Sequence, residues 1–292
     1  MAVSFRNYKL LQDFEKVSQF LRDVYSFPDG SPVTQPSFEY AHTHPAFNHH
    51  LAHRFGLWED KGQLVALVCF EGDIGEAMFS VKPAYEQLLP DMLQYAELEL
   101  AALSEEQHSL DIYLTSTQLA FINLLQVSGY QKVFSEAVHV FSYKHDFPVV
   151  SLPEGYTAVS LEEENDLYKI DVCMWKGFNH ADDPDDNPDR RRIMQTGPHF
   201  RPDLTTVIKA PNGDYACYAG MWLEEQNRYA YLEPLCTVPA YRRMGLAAYA
   251  LVNSMQKTKR LGAKYCYGGS ASFYKSFGFE EICQRETWRR KW

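Results

Sequence analysis

The sequence lacks the cysteine spacing of a metal or redox protein. Its six cysteines, at 69, 173, 217, 236, 266 and 283, are widely separated, and none forms a C-x-x-C pair. Most lie in apolar runs such as LVALVCF and KYCY, the setting of buried, reduced thiols. Positive charge is also in deficit, with 28 Lys and Arg against 38 Asp and Glu and a net charge of -10. That balance argues against nucleic acid or an anionic membrane surface as the general partner, and suits a cationic or amine-bearing one. The opening MAVSFRNYKLLQDFEK has neither a secretory apolar core nor a run long enough to span a bilayer, so a cytoplasmic protein is expected.

What is present is an ordinary globular composition, 46% hydrophobic and 23% charged over 292 residues, enough chain for two domains. The stretch Tyr231 to Gly262 carries the densest pattern. It begins as a strand, passes through Val238-Pro239 and becomes a helix in which Leu246, Ala250, Leu251, Met255 and Leu261 recur at helical spacing. Lys257, Lys259 and Arg260 sit at its negative end, before Gly262. At the strand-to-helix turn lies Arg242-Arg243-Met244-Gly245-Leu246-Ala247. Free N–H groups, the helix dipole and arginine together favour a pyrophosphate, and Gly245 lets it approach.

The order strand, Val238-Pro239, Arg242-x-x-Gly245-x-Ala247, long helix, short strand, Phe273-Tyr274-x-x-x-Gly278-Phe279 resembles the coenzyme-binding half of the GNAT acetyltransferase superfamily, directly over about residues 150 to 292. The resemblance implies an α/β fold with a mixed sheet and acetyl-coenzyme A as co-substrate, without a metal. It implies that the loop from Arg242 through Arg243, Met244, Gly245 and Leu246 to Ala247 holds the pyrophosphate. It also implies that the preceding strand pairs with the pantetheine arm through backbone groups of Cys236 and Val238, with Leu235 beside them at the coenzyme. In that family a carboxylate at the position of Glu233 often serves as general base, and a tyrosine at the position of Tyr274 as general acid. Glu233 also reads as a surface carboxylate, and Tyr274 as a packing aromatic with a wetted hydroxyl. His180 is an alternative base on the acceptor side.

The first half repeats the same order of elements. A helix is expected over Phe14 to Tyr25, a hairpin over Phe55 to Glu59 and Leu64 to Glu71, a strand over Glu76 to Val81, a helix from Tyr85 to Ala102, a strand over Leu110 to Thr115, a helix over Gln118 to Val127 and a last strand over Val133 to Tyr143. Pro83-Ala84-Tyr85 precedes one helix as Pro239-Ala240-Tyr241 precedes another, 156 residues on, and Gly129-Tyr130 matches Gly278-Phe279, 149 on. The chain therefore resembles two tandem GNAT-like domains, 1–147 and 148–292. At these offsets Glu86 replaces Arg242, Leu89 replaces Gly245, Asp91 replaces Ala247 and Ala77 replaces Glu233. Two acids and a bulky side chain repel and block a pyrophosphate, so the first copy is expected to be degenerate and structural.

Three loops stand outside this pattern. His42, His44, His49, His50 and His53 cluster without interleaved carboxylate or cysteine, which reads as packing or solvated histidines or as a patch that contacts an acceptor bound between the domains, and no metal is expected there. The segment Asn179 to Pro202 carries Asp182-Asp183-Pro184-Asp185-Asp186 and Arg190-Arg191-Arg192, a solvated charged loop or one that borders the acceptor. Pro211-Asn212-Gly213-Asp214 predicts a hairpin turn between Leu204 to Lys209 and Tyr215 to Leu223. The activity expected from the resemblance is transfer of an acetyl group to a primary amine of a small molecule or peptide. A coenzyme-A-binding sensor and an acyl or aminoacyl transferase using another donor remain alternatives.

Overall fold

The computed structural model describes residues 3–104, 106–180, 184 and 187–292. Of the acidic run at 182–186, all but Pro184 lies outside the described residues. In chain order the elements are β1 (Ser4–Asn7), α1 (Leu10–Val24), α2 (Gln35–Thr43), β2 (Gly56–Asp60), β3 (Gln63–Cys69), β4 (Glu76–Val81), α3 (Leu89–Glu99), β5 (Ala102–Ser104), β6 (Gln107–Thr115), α4 (Leu119–Val127) and β7 (Gln131–Ser142). There follow β8 (Thr157–Ser160), α5 (Leu167–Gly177), α6 (Asp189–Ile193), β9 (Thr206–Lys209), β10 (Tyr215–Glu224), β11 (Tyr229–Thr237), α7 (Leu246–Arg260), β12 (Tyr265–Gly268), α8 (Ser272–Phe277) and β13 (Glu280–Lys291).

Two compact units result. The first holds the chain up to His42, Ala46–Val138 and Glu281–Trp292; the second holds Thr43–Pro45 and His139–Glu280. Their edges therefore lie at Val138/His139 and Glu280/Glu281, while the two sequence copies meet in chain order near 147.

The first unit is a mixed sheet of order β1-β2-β3-β4-β6-β13-β7, with β5 off the edge of β6. β4 and β6 run parallel, and β13 runs antiparallel to β6 from Arg285 opposite Thr115 to Lys291 opposite Ser109. The chain's last strand is thus built into the first unit. β3 is buried from Leu64 to Cys69, as a strand covered on both faces must be, and α1 packs on it through Val17, Phe20 and Leu21. α2 lies within Ser31 to Asn48, where the sequence shows no periodicity. It places His42 among Phe14, Phe38, Phe47 and Phe55, with Nδ1 bonded to the Phe38 carbonyl at 2.8 Å. His49 bonds the His42 carbonyl at 2.9 Å and His53 bonds the His50 carbonyl at 2.9 Å. The helix expected from Tyr85 begins instead as a 3-10 turn over Pro83–Leu88 that runs straight into α3, because Leu88 and Leu89 are both right-handed and both buried.

The second unit is a mixed sheet of order β8-β9-β10-β11-β12, completed by the end of β7 antiparallel to β12. β10 is buried along almost its whole length beneath α5 and α7. The Asn-Gly turn closes the β9–β10 hairpin as its sequence dictates, with Gly213 at φ +87 and its N–H on the Ala210 carbonyl. α7 buries Leu246, Ala250, Leu251 and Met255 against this sheet, so the residues that make it a helix also fix where its N-terminus points.

Candidate active site

β11 has two different edges. On one side it pairs with β10 as far as Thr237; on the other it pairs in parallel with β12 from Tyr229 to Tyr231, and beyond that no strand of the described residues pairs with this open edge. At the start of the open stretch the strand bulges. Leu232 faces Met221 and Leu235 faces Ala219, so Glu233 and Pro234 together stand opposite Gly220. A Cβ on Gly220 would lie 2.4 Å from the Glu233 carbonyl oxygen, so only glycine admits the bulge, and Trp222 Nε1 holds that carbonyl at 3.0 Å. Pro234, which has no N–H to give the ladder, falls in this bulge after a cis peptide.

The direction of the backbone groups differs from the sequence expectation at two positions. The Val238 N–H donates to the Ala216 carbonyl at 3.0 Å, and by antiparallel alternation Cys236 also turns its N–H and C=O toward β10. The groups that face the open edge are those of Leu235 and Thr237. Thr237 was invisible from the motif, since only the β10–β11 register tells odd from even positions.

At the end of β11 the chain crosses a 3-10 turn, Pro239–Tyr241, and enters α7 through two left-handed residues, Arg243 at φ +65 and Gly245 at φ +78. The first helical bond is Tyr249 N–H to Gly245 C=O, and no side chain caps the end, so the N–H groups of Leu246, Ala247 and Ala248 have no acceptor within the helix. A Cβ at Gly245 would meet nothing within 4 Å. The glycine is required by its φ, and the space above it is open for an anion at the positive end of a fifteen-residue helix. Leu246 turns its side chain into the core, Met244 lies at the surface within reach of the Tyr156 hydroxyl, and Arg243 is exposed.

Arg242 behaves differently from a solvated cation. Its guanidinium donates to the Thr237 carbonyl at 3.0 Å, the Gly177 carbonyl at 2.9 Å and Asn179 Oδ1 at 2.7 Å. It therefore ties the end of α5 to the end of β11. The same junction is tight at Gly177, where a Cβ would meet Cys236 Sγ at 2.8 Å.

Tyr274 stands in α8, 9% exposed. Burial pushes its phenol well above the usual tyrosine range, the Glu233 charge adds to the push, and a hydrogen bond from the Gly269 backbone opposes it. Glu233 and Tyr274 are thus electrostatically coupled. His180, the alternative base, stacks on Trp175 at 4.0 Å. Arg190 covers the same indole at 4.6 Å.

The arginine run is not a solvated loop. Arg190 grips Asp171 of α5 with two bonds of 2.5 Å, and Arg191 adds a third of 2.8 Å, although Asp171 and Arg191 are both buried. Only Arg192 of the three lies at the surface, 68% exposed and paired with Asp189. Nothing in the local sequence ties Arg190 to an aspartate 19 residues upstream.

The corresponding turn of the first unit offers no such site. Its backbone runs from Pro83 into α3 without a left-handed residue, with Glu86 and Asp91 where the dipole is positive. Of the two strands that precede these turns, only β11 bulges, with one extra residue at Glu233 and Pro234 opposite Gly220.

Among the described residues no group of His, Cys, Asp and Glu could hold a metal ion, and no helix is long and apolar enough to cross a membrane. Residues 165–279 match the family model for the acetyltransferase (GNAT) family. A search of curated protein sequences gives no match. Among solved structures, the chain is similar to a GCN5-related N-acetyltransferase from Sphaerobacter thermophilus, at 16% identity and TM-score 0.66 over 99% of this chain and 95% of that one. It is similar to a tandem GNAT protein from the clavulanic acid biosynthesis pathway, at 14% identity and TM-score 0.67 over 99% and 98%. It also resembles N-myristoyltransferase of Saccharomyces cerevisiae, at 10% identity and TM-score 0.56 over 98% and 79%. At these identities the structures speak for the fold alone: residues 165–279 match the acetyltransferase (GNAT) family model, and the whole chain has the fold of the tandem GNAT proteins.

Proposed function

We propose that the second unit is an N-acetyltransferase that uses acetyl-coenzyme A and acts on a primary amine of a small molecule or peptide. The observation that carries this reading is one continuous strand, turn and helix: Glu233 at the bulge, an open backbone edge at Leu235 and Thr237, and an uncapped helix N-terminus with open space above Gly245. The family match over residues 165–279 implies an acyl-coenzyme A donor, and these residues fit one. The N–H groups at Gly245 to Ala248 would hold the pyrophosphate, and Leu235 and Thr237 would add the pantetheine arm as an extra strand. When bound, the donor supplies an activated acyl thioester.

The chain's own groups then have three tasks. Glu233 takes the proton of the attacking amine, directly or through a water. The Leu235 N–H, facing the open edge, meets the charge that develops on the carbonyl oxygen. Tyr274 donates a hydrogen bond to the leaving sulfur. Burial keeps the phenol protonated, so it is always a donor, yet it begins as a weaker acid than a thiol of about 8.5. Proton uptake by Glu233 removes the carboxylate charge that helps to hold Tyr274 up. The phenol becomes a stronger acid at the moment the sulfur needs a proton.

Free thiol release from acetyl-coenzyme A, measured across a panel of amines, thiols and peptides, tests this reading. Turnover with amines supports it, whereas binding of coenzyme A without turnover on any acceptor would make the second unit a sensor.

A further inference from the structure

The first unit, which has no pyrophosphate turn, carries a groove of about 460 Å³ over β6, β13 and β7. Its floor is a stripe of charge. Arg289 holds Asp111 with two bonds of 2.6 Å, and Arg285 reaches Glu71 at 3.2 Å while lying 5.4 Å from the centre of the Tyr113 ring. These two arginines and two acids cancel.

The remaining acid in the groove is Glu136 of β7. Half-buried, it has no ion pair or hydrogen bond among the described residues. Beside it on β7, Val133 and Phe134 line the groove while 49% and 57% exposed. Tyr113 supplies a second ring, its phenol pushed up to about 12 by burial and by Glu76 and Asp111, so this face of the groove is negative. A net charge of minus one next to two aromatic faces and an aliphatic one is complementary to a cation with an apolar body. An anion would have to displace Asp111 from its bidentate arginine. A cation displaces nothing.

We propose that this groove binds a small organic cation, an ammonium carried on an aromatic or aliphatic skeleton, with Glu136 as its counter-ion and Phe134 and Tyr113 as its walls. The volume lies in the range of small-molecule sites. The inference stands apart from the proposed chemistry of the second unit, because all nine lining residues belong to the first.

The test is isothermal titration of the full chain with N,N-dimethyl-2-phenylethylammonium, which keeps the charge and one N–H donor but gives no stable amide. Phenylacetate serves as the anion of similar shape. The cation should bind, weaken about fivefold in Glu136→Gln and about tenfold in Phe134→Ala, and bind unchanged in Glu233→Gln, while phenylacetate gives no heat. Both groove positions are partly exposed, so the variants should keep the parent circular dichroism spectrum. No binding of the cation at millimolar concentration, binding indifferent to both groove substitutions, or equal binding of phenylacetate would each overturn the proposal.

Discussion

Arg242 donates to the carbonyl of Gly177, 65 residues away in sequence, at 2.9 Å, and so joins the end of α5 to the turn that leads into α7. Because its guanidinium also holds the Thr237 carbonyl and Asn179, its work is geometric as well as electrostatic. Arg242→Lys keeps the charge but loses the planar fork. We expect it to cost about 1 to 2 kcal/mol of stability and to weaken coenzyme A binding nearly as much as Arg242→Ala does. Calorimetry on both variants checks this; a lysine variant with parent affinity would reduce Arg242 to a point charge.

Gly245 makes the complementary case. A side chain there meets no protein atom, so Gly245→Leu should fold, at a cost of about 1 kcal/mol for its left-handed backbone. It should nevertheless lose coenzyme A binding, because the leucine fills the space above the helix end. The first unit lacks the turn altogether, since Leu89, at the sequence position of Gly245, is right-handed and buried, so one coenzyme A per chain is expected in titration.

How far the sequence disclosed this site depends on what each residue's role rests on. Gly245, Ala247 and the helix behind them follow from local rules of backbone and dipole, and the Asn-Gly hairpin likewise. The facing of Val238 and Thr237 depends on strand register, which the motif does not contain. Arg190 and Arg191 read as solvated because their partner Asp171 lies on another element. The placement of β13 beside β6 is a long-range choice of the chain that neither strand's own residues dictate.

Asp171 should be the most sensitive of these positions. It is 1% exposed and receives both arginines, so Asp171→Asn removes the carboxylate charge that both hold and leaves the buried Arg191 guanidinium against a neutral amide. Breaking a buried pair in this way costs about 3 to 5 kcal/mol. Chemical denaturation should show the loss, and a cost below about 1 kcal/mol would mean that α6 is held by other contacts.

His42 makes stability depend on pH. Burial lowers its pKa to about 4, against about 6.5 in the unfolded chain, so below 6.5 the unfolded state binds the extra proton. Stability should therefore be full above pH 6.5 and fall as the pH drops toward 4, by about 3 kcal/mol in all. Denaturation series at several pH values should show that slope in the parent and a flatter one in His42→Leu; equal slopes would assign the acid limb to other groups.

The central claim is that Glu233 acts on the attacking amine and Tyr274 on the leaving sulfur of the acyl donor. Single-turnover acetyl transfer by Glu233→Gln and Tyr274→Phe, with coenzyme A affinity measured on the same preparations, tests it most directly. The account predicts near-parent affinity with a chemical step slowed by about 10² to 10⁴-fold in Glu233→Gln, a smaller loss in Tyr274→Phe, and less than the product of the two in the double variant because the groups are coupled. Transfer at the parent rate in both single variants would contradict it.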